Sequence, residues 1–232
     1  MSEHRYQQYC ALARALDVAG DRWTLLIVRE LVPGPRRFTD LIDGLPGISR
    51  NLLTNRLRDL ERDGIIARKE LPPPVARQVY ELTDDGRDLA TAMAPLIAWG
   101  VRRLGNRQRA ESFHPRWSAV AMAGLADREA AKGVSETYEY LVDDSAFHFT
   151  VEDGSIQLHD GRARDPAVVV TTDEETWTEV ASGKVRFSSA LATSAVTITG
   201  DPHAAKRMRK IFSRSHMLAH AEAVNHVATK ER

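Results

Sequence analysis

A chain of 232 residues is long enough for one large domain or two small ones with real cores, and a change of pattern near residue 108 favours two. Its 32 basic and 32 acidic residues cancel, yet residues 1–110 hold 18 basic against 14 acidic and the remainder 14 against 18, an asymmetry that suggests different partners for the two halves. The single Cys10 excludes an internal disulfide, no apolar run approaches the roughly 18 residues of a membrane span, and no basic leader precedes an apolar stretch, so a soluble cytoplasmic protein is expected.

Along the chain, "YCALARALDVA" from Tyr9 to Ala19 places Cys10, Ala13, Leu16 and Val18 near helical spacing before Gly20 breaks it. Asp21 suits an N-cap for a second helix, in which "RWTLLIVREL" aligns Trp23, Leu26, Ile27 and either Glu30 or Leu31. "PGPRR" turns the chain, and "RFTDLIDGL" predicts a short helix with Phe38, Leu41 and Ile42 inward and Arg36 and Arg37 at its entrance.

Ser49 is placed to cap the next helix, whose buried stripe is Leu53, Leu57 and Leu60 with Leu52 at its edge. At 100° per residue, Arg50, Asn51, Thr54, Asn55, Arg58 and Arg62 fall on the far side. Such a face is either solvated or offered to a partner. In a major groove, arginine presents a two-donor fork to guanine, asparagine pairs with adenine, and a threonine methyl touches thymine. Two strand-like runs follow after only Asp63 and Gly64, "IIARKEL" and "RQVYEL", bridged by "PPPVA". Short helix, turn, polar-faced helix and hairpin make a winged helix-turn-helix, with Arg68, Lys69 and Arg77 on the wing within reach of phosphates.

"GDRWTLLIVREL", "RRFTDL", "GISRNLLTNRLRDLERDGII" and "YELTDDGRDL" together resemble the HxlR family of bacterial transcriptional regulators, relatives of the MarR-type winged helices. The resemblance spans about residues 9 to 105. It implies a homodimer on an inverted-repeat operator in double-stranded DNA, with 49–62 as recognition helix and 68–77 as wing. It also implies an oxidation-sensing role for Cys10, as in part of that family, while the residue pattern alone places this cysteine on the apolar side of the first helix. "TDDGRDLATAMAPLIAWGVRRL" predicts a long helix from Thr83, kinked by Pro95, whose apolar residues Leu89, Met93, Leu96, Ile97, Val101 and Leu104 are more than a small winged core needs. Packing against a second copy through this helix and the first one accounts for the surplus; burial against the following domain is the other option.

"QRAESFHPRW" from Gln108 reads as a linker or domain entrance, and "WSAVAMAGLADREAAKG" as a helix. The period then changes to two: "ETYEYLVDD", "AFHFTVEDGSIQLHDG", "PAVVVTTDEETWTEVASG" and "AVTITGD" predict four strands, with "DDSA" and "EDGS" as turns. Phe147, Phe149 and Val151 share one face. Residues 173–182 are expected to be helical, capped by Thr172 or Asp173, and a final helix is expected from Ala204. "VEDGSIQLHDG", "DPAVVVTTDEETWTEVASGKVRF" and "VTITGDPHAAKRMRKIF" resemble the sterol-carrier-protein fold, a lipid-binding α+β module, over about residues 118 to 213. The whole chain is therefore expected to be α+β, with a winged helix-turn-helix over 1–107 and a sterol-carrier-like domain over 108–232. An apolar tunnel is what the second resemblance implies, with Phe147, Phe149, Trp177, Val180, Phe187, Leu191, Met208 and Phe212 as candidate lining, or as plain core.

No catalytic constellation, phosphate loop or cofactor motif is visible, so no enzyme and no cofactor are expected. His216 and His220 have helical i, i+4 spacing but lack further ligands, and no metal is expected. Three functions remain: a DNA-binding regulator that responds to an apolar small molecule; a lipid or small-molecule carrier whose winged domain serves dimerisation, the reading favoured by the balanced net charge; and redox regulation of DNA affinity through Cys10.

Overall fold

The computed structural model describes residues 6–71, 77–101, 103–105, 107–108, 110–213 and 215–217. The chain forms two compact units, Met1–Met93 and Ala94–Arg232. The first begins with four helices, α1 (Ala11–Ala19), α2 (Thr24–Leu31), α3 (Phe38–Gly44) and α4 (Arg50–Arg62). The hairpin β1 (Ile66–Leu71) and β2 (Arg77–Leu82) follows, then α5 (Asp84–Val101), within which the boundary between the units falls.

Local chemistry sets these elements. Cys10 is extended (φ −143°, ψ 130°) at the head of α1, so it is exposed instead of lying on the helix's apolar side as expected. Ala13 is the residue of α1 that is buried. Asp21 does not cap α2; its carboxylate accepts the Trp23 N–H at 3.1 Å in a preceding turn, and the helix starts at Thr24. Ile27, Val28 and Leu31 of α2 join Leu41, Leu45, Leu53, Leu57 and Leu60 in one apolar core. At the base of the hairpin, Ile66 pairs with Leu82, and the Thr83 hydroxyl reaches the Gly64 carbonyl at 2.5 Å and accepts the Gly86 N–H at 3.1 Å. A Cβ on Gly86 would lie 2.1 Å from the Ile65 carbonyl oxygen, so glycine is what lets α5 start this close to the wing.

The second unit starts at the end of α5 and continues with α6 (Pro115–Leu125), β3 (Ser135–Val142), β4 (Ser145–Glu152), β5 (Ser155–Asp160) and β6 (Val168–Thr172). It closes with α7 (Glu174–Ser182), α8 (Phe187–Ala192), β7 (Val196–Gly200) and α9 (Pro202–Ile211). Its sheet runs β5-β4-β3-β6-β7; β3 and β6 are parallel and the other neighbours antiparallel. The second of the four expected strand runs divides at Asp153–Gly154, whose φ values of 44° and 86° make a tight turn matched to the twist of the strands. Five strands result, not four. α8 was not expected. α9 starts two residues earlier than Ala204, because Asp201 caps it by accepting the His203 and Ala204 N–H groups and Pro202 needs no donor at the first position.

Alternation decides the sheet's two faces. Tyr138, Tyr140, Val142, Phe147, Phe149 and Val151 are all buried, facing Trp177 of α7, Met208 and Ile211 of α9, and Phe212. The opposite face carries Glu139, His148 and His159 in one row, since Glu139 pairs with His148 and His148 with His159. Glu139, 1% exposed, accepts Arg162 Nε at 3.1 Å and the Ala163 N–H at 2.7 Å from the loop leading to β6. The two imidazoles stack at 5.0 Å. Burial first, and then the neighbouring His148, hold His159 below its ordinary pKa of 6.5, so the fold prefers this imidazole neutral. Its contribution is present above about pH 6.5 and is lost as pH falls through the lowered folded value. We expect His159→Gln to flatten the decline in urea midpoint between pH 7.5 and 5.5; an unchanged pH profile would contradict this.

Candidate nucleic-acid interface

Ser49 stops the chain from entering α4 early: its hydroxyl accepts the Leu52 N–H at 3.2 Å, satisfying one of the free donors of the first turn. Leu53, Leu57 and Leu60 are 0%, 1% and 2% exposed, which fixes the roll of the helix about its axis. Arg56, at the flank, pairs with Asp21 at 2.9 Å and Asp59 at 3.3 Å, tying α4 to the turn before α2. Arg50, Asn51, Thr54, Asn55 and Arg58 are all exposed, so the structure brings these expected residues onto one outward face. Thr54 donates its hydroxyl to the Arg50 carbonyl at 2.9 Å, which leaves its methyl as the group free for an outside contact.

The cations around this face divide into compensated and uncompensated. Arg62 is bound to Asp59 at 2.8 Å and Asp63 at 3.1 Å, and these carboxylates, Asp63 foremost, raise its pKa. Arg68 lies 3.6 Å from Glu61 and 5.5 Å above the centre of the Tyr80 ring, while Lys69 lies 3.3 Å from Glu81. Arg37 is exposed, with Nε 4.0 Å from Asp40. Arg50 and Arg58 make no ion pair among the described residues. Arg77 opens β2, and its side chain, like the tip at 72–76, lies outside the described residues.

Arg36 does not belong to this surface. It is 9% exposed, its Nε donates to the Glu30 carbonyl at 3.4 Å, and its backbone exchanges two hydrogen bonds with Tyr80 at 2.9 and 2.7 Å, which draws it beneath the hairpin. The pair "RR" reads as one basic entrance in sequence, but adjacent residues of an extended segment point opposite ways, so Arg37 is out and Arg36 is in. The spacing left Glu30 and Leu31 as alternatives for the inward stripe of α2, and both are buried, each 2% exposed, so a carboxylate takes a place among the apolar residues.

In the second unit, Phe147, Phe149, Trp177 and Met208 are 2%, 0%, 6% and 1% exposed, and Val180, Phe187, Leu191 and Phe212 are half-buried. Several of these side chains pack on one another. Phe147 stacks on Tyr140 at 5.3 Å, Phe149 meets Phe212 at 4.6 Å, and Trp177 Nε1 donates to the Ser118 hydroxyl at 2.7 Å. None of the eight lines either of two clefts, one of about 290 Å³ at the Glu136 end of the sheet and one of about 370 Å³ beside Leu31 and Leu82. Among the described residues no group of three His, Cys, Asp or Glu side chains is arranged to hold a metal. His216 Nδ1 is 3.4 Å from Asp127, and His220 lies outside the described residues. No described helix is long and apolar enough to cross a membrane.

Residues 18–108 match the family model described as HxlR-like helix-turn-helix. The HTH-type transcriptional regulator YvaP of Bacillus subtilis is 36% identical over 88 residues, which are 38% of this chain and 82% of that relative. The chain belongs to the HxlR-like helix-turn-helix family. A second member from Bacillus subtilis, the HTH-type transcriptional regulator YodB, is 35% identical over 85 residues, 37% of this chain and 76% of its own. An HTH-type transcriptional regulator of Mycobacterium tuberculosis is 43% identical over 97 residues, 42% of this chain; the match spans 60% of that relative's length. The solved structure of reduced YodB covers 44% of this chain at 30% identity with a TM-score of 0.38. Residues 120–213 match the model of the SCP-2 sterol transfer family, so this HxlR-like chain joins two family patterns; the first runs past the boundary between the units and the second lies within the second unit.

Replacing Ser49 with alanine should destabilise the unit by about 1 kcal/mol through the lost cap, read as a lower urea midpoint with an unchanged slope.

Proposed function

We propose that this HxlR-like protein is a DNA-binding transcriptional regulator that reads an inverted-repeat operator as a homodimer, its SCP-2 domain responding to an apolar small molecule. The observation that carries this reading is the α4 face: Arg50, Asn51, Asn55 and Arg58 stand exposed over a leucine underside that holds them in register. Arginine and asparagine in the first two turns are the side chains that pair bidentately with guanine and adenine edges. The regulator names of the relatives support it.

Dimerisation is supported by apolar surface that each unit leaves open: Tyr9 and Leu12 on the first are 105% and 67% exposed, and Leu96, Trp99 and Leu104 on the second are 50%, 46% and 66% exposed. Two-fold symmetry would set two α4 helices roughly 34 Å apart, one turn of the duplex. Ligand response is supported by the SCP-2 match. A ligand then shifts DNA affinity only as far as it prefers the DNA-competent arrangement.

A duplex selected by the wild-type chain from a random-sequence pool serves as the operator probe in an anisotropy titration. Arg50→Ala should weaken it by roughly 5- to 150-fold, as expected for losing about 1–3 kcal/mol of base contact, and wild-type binding should fall steeply with salt. Sequence-indifferent binding that ignores Arg50→Ala would overturn the reading. Trp99→Glu should convert a sedimenting dimer to monomer; a dimer that persists would remove α5 from the interface.

A further inference from the structure

Glu30 and Arg36 are the two charged side chains buried in the first unit among its described residues, and neither is exposed on the α4 face. Hydrogen bonds tie Glu30 to the segment before α3 and, through Arg29, to the end of α3. Its Oε1 accepts Arg29 Nε at 3.0 Å and Arg29 Nη2 at 2.7 Å. The same Nη2 donates to the Gly44 carbonyl at 3.3 Å, at the end of α3, where the turn leading to the Ser49 cap begins. The backbone carbonyl of Glu30 accepts Arg36 Nε, and Arg36 is paired through its backbone with Tyr80 of the wing.

Burying ions opposes their hydration, and apolar side chains of similar volume hold a core at least as well. Stability alone therefore does not account for a carboxylate at this place. What an ion-paired network adds is direction, because an arginine fork bonds at fixed angles whereas leucine contacts slide. We infer that Glu30 is a positioning residue for DNA reading: through Arg29 it sets the bearing of the turn that delivers α4, and its neighbour Arg36 refers that bearing to the wing. Glu30 touches no DNA. Its effect reaches DNA through the angle between α4 and the hairpin, so it governs discrimination between sequences more than attraction to phosphates. This rests on the DNA-reading function proposed above.

The test uses the full chain, the duplex selected by the wild type, and a scrambled duplex of equal length. Glu30→Gln keeps the volume and an acceptor oxygen but removes the charge. It should lower the ratio of selected to scrambled affinity at least tenfold, leave scrambled-duplex affinity unchanged within twofold, and yield a relaxed consensus when selection is repeated. Arg29→Lys, on a side chain 18% exposed, keeps a cation beside Glu30 yet cannot span both Glu30 and Gly44; the same drop in ratio is expected, and this variant decides the matter if Glu30→Gln does not fold. Folded variants with the wild-type ratio, or with both affinities reduced in proportion, overturn the inference. If the wild type selects a sequence and the variants keep its ratio, the inference alone fails; if the wild type selects none, the DNA-reading proposal fails with it.

Discussion

Packing of Leu53, Leu57 and Leu60 beneath α4 is the constraint on which the N-terminal unit depends. Each buried leucine contributes about 1.5–3 kcal/mol, so the three together far exceed what any single surface ion pair supplies. Because they recur at the helical period, their burial also removes the helix's freedom to roll. The outward direction of Arg50, Asn51, Asn55 and Arg58 is a consequence of what lies underneath.

Charge on that outward face is then sorted by proximity. Arg56, Arg62, Arg68 and Lys69 each stand within 3.6 Å of a carboxylate, whereas Arg50 and Arg58 have no such neighbour among the described residues. A duplex meeting this surface encounters uncompensated arginine on the helix and compensated cations at its end and on the strand of the wing. Phosphates would displace such carboxylates only against an existing attraction, which is why the proposed main contact is on α4. Inside the unit, the Arg29–Glu30 pair obeys the converse rule: where water is excluded, an ion persists only with a partner held close.

The second unit separates two environments with one sheet. Aromatic residues pack by edge and face on one side, and Glu139, His148 and His159 line up on the other, each facing chosen by strand alternation. Residues 120–213 carry the SCP-2 pattern, and within them Phe147, Phe149 and Phe212 pack ring against ring.

Patterns that act over a turn or a strand were legible from sequence. The α4 stripe, the Ser49 and Asp173 caps and the alternating Phe147, Phe149 and Val151 depend on spacing of 3.6 or 2 residues and on one side-chain hydrogen bond within three positions. For the same reason both family resemblances were visible. Burial of Arg36, exposure of Cys10 and the helix at Phe187–Ala192 were not legible, since each depends on a partner far along the chain or on a backbone angle that composition does not state. Arg36 is inside because Tyr80, 44 positions later, pairs with its backbone. By itself the sequence determined which faces are apolar, the caps at Ser49 and Asp173, and hence the two kinds of domain; only the tertiary structure decided which charges are spent on carboxylates and which stay open, because that is a matter of distances across the fold and not of spacing along the chain.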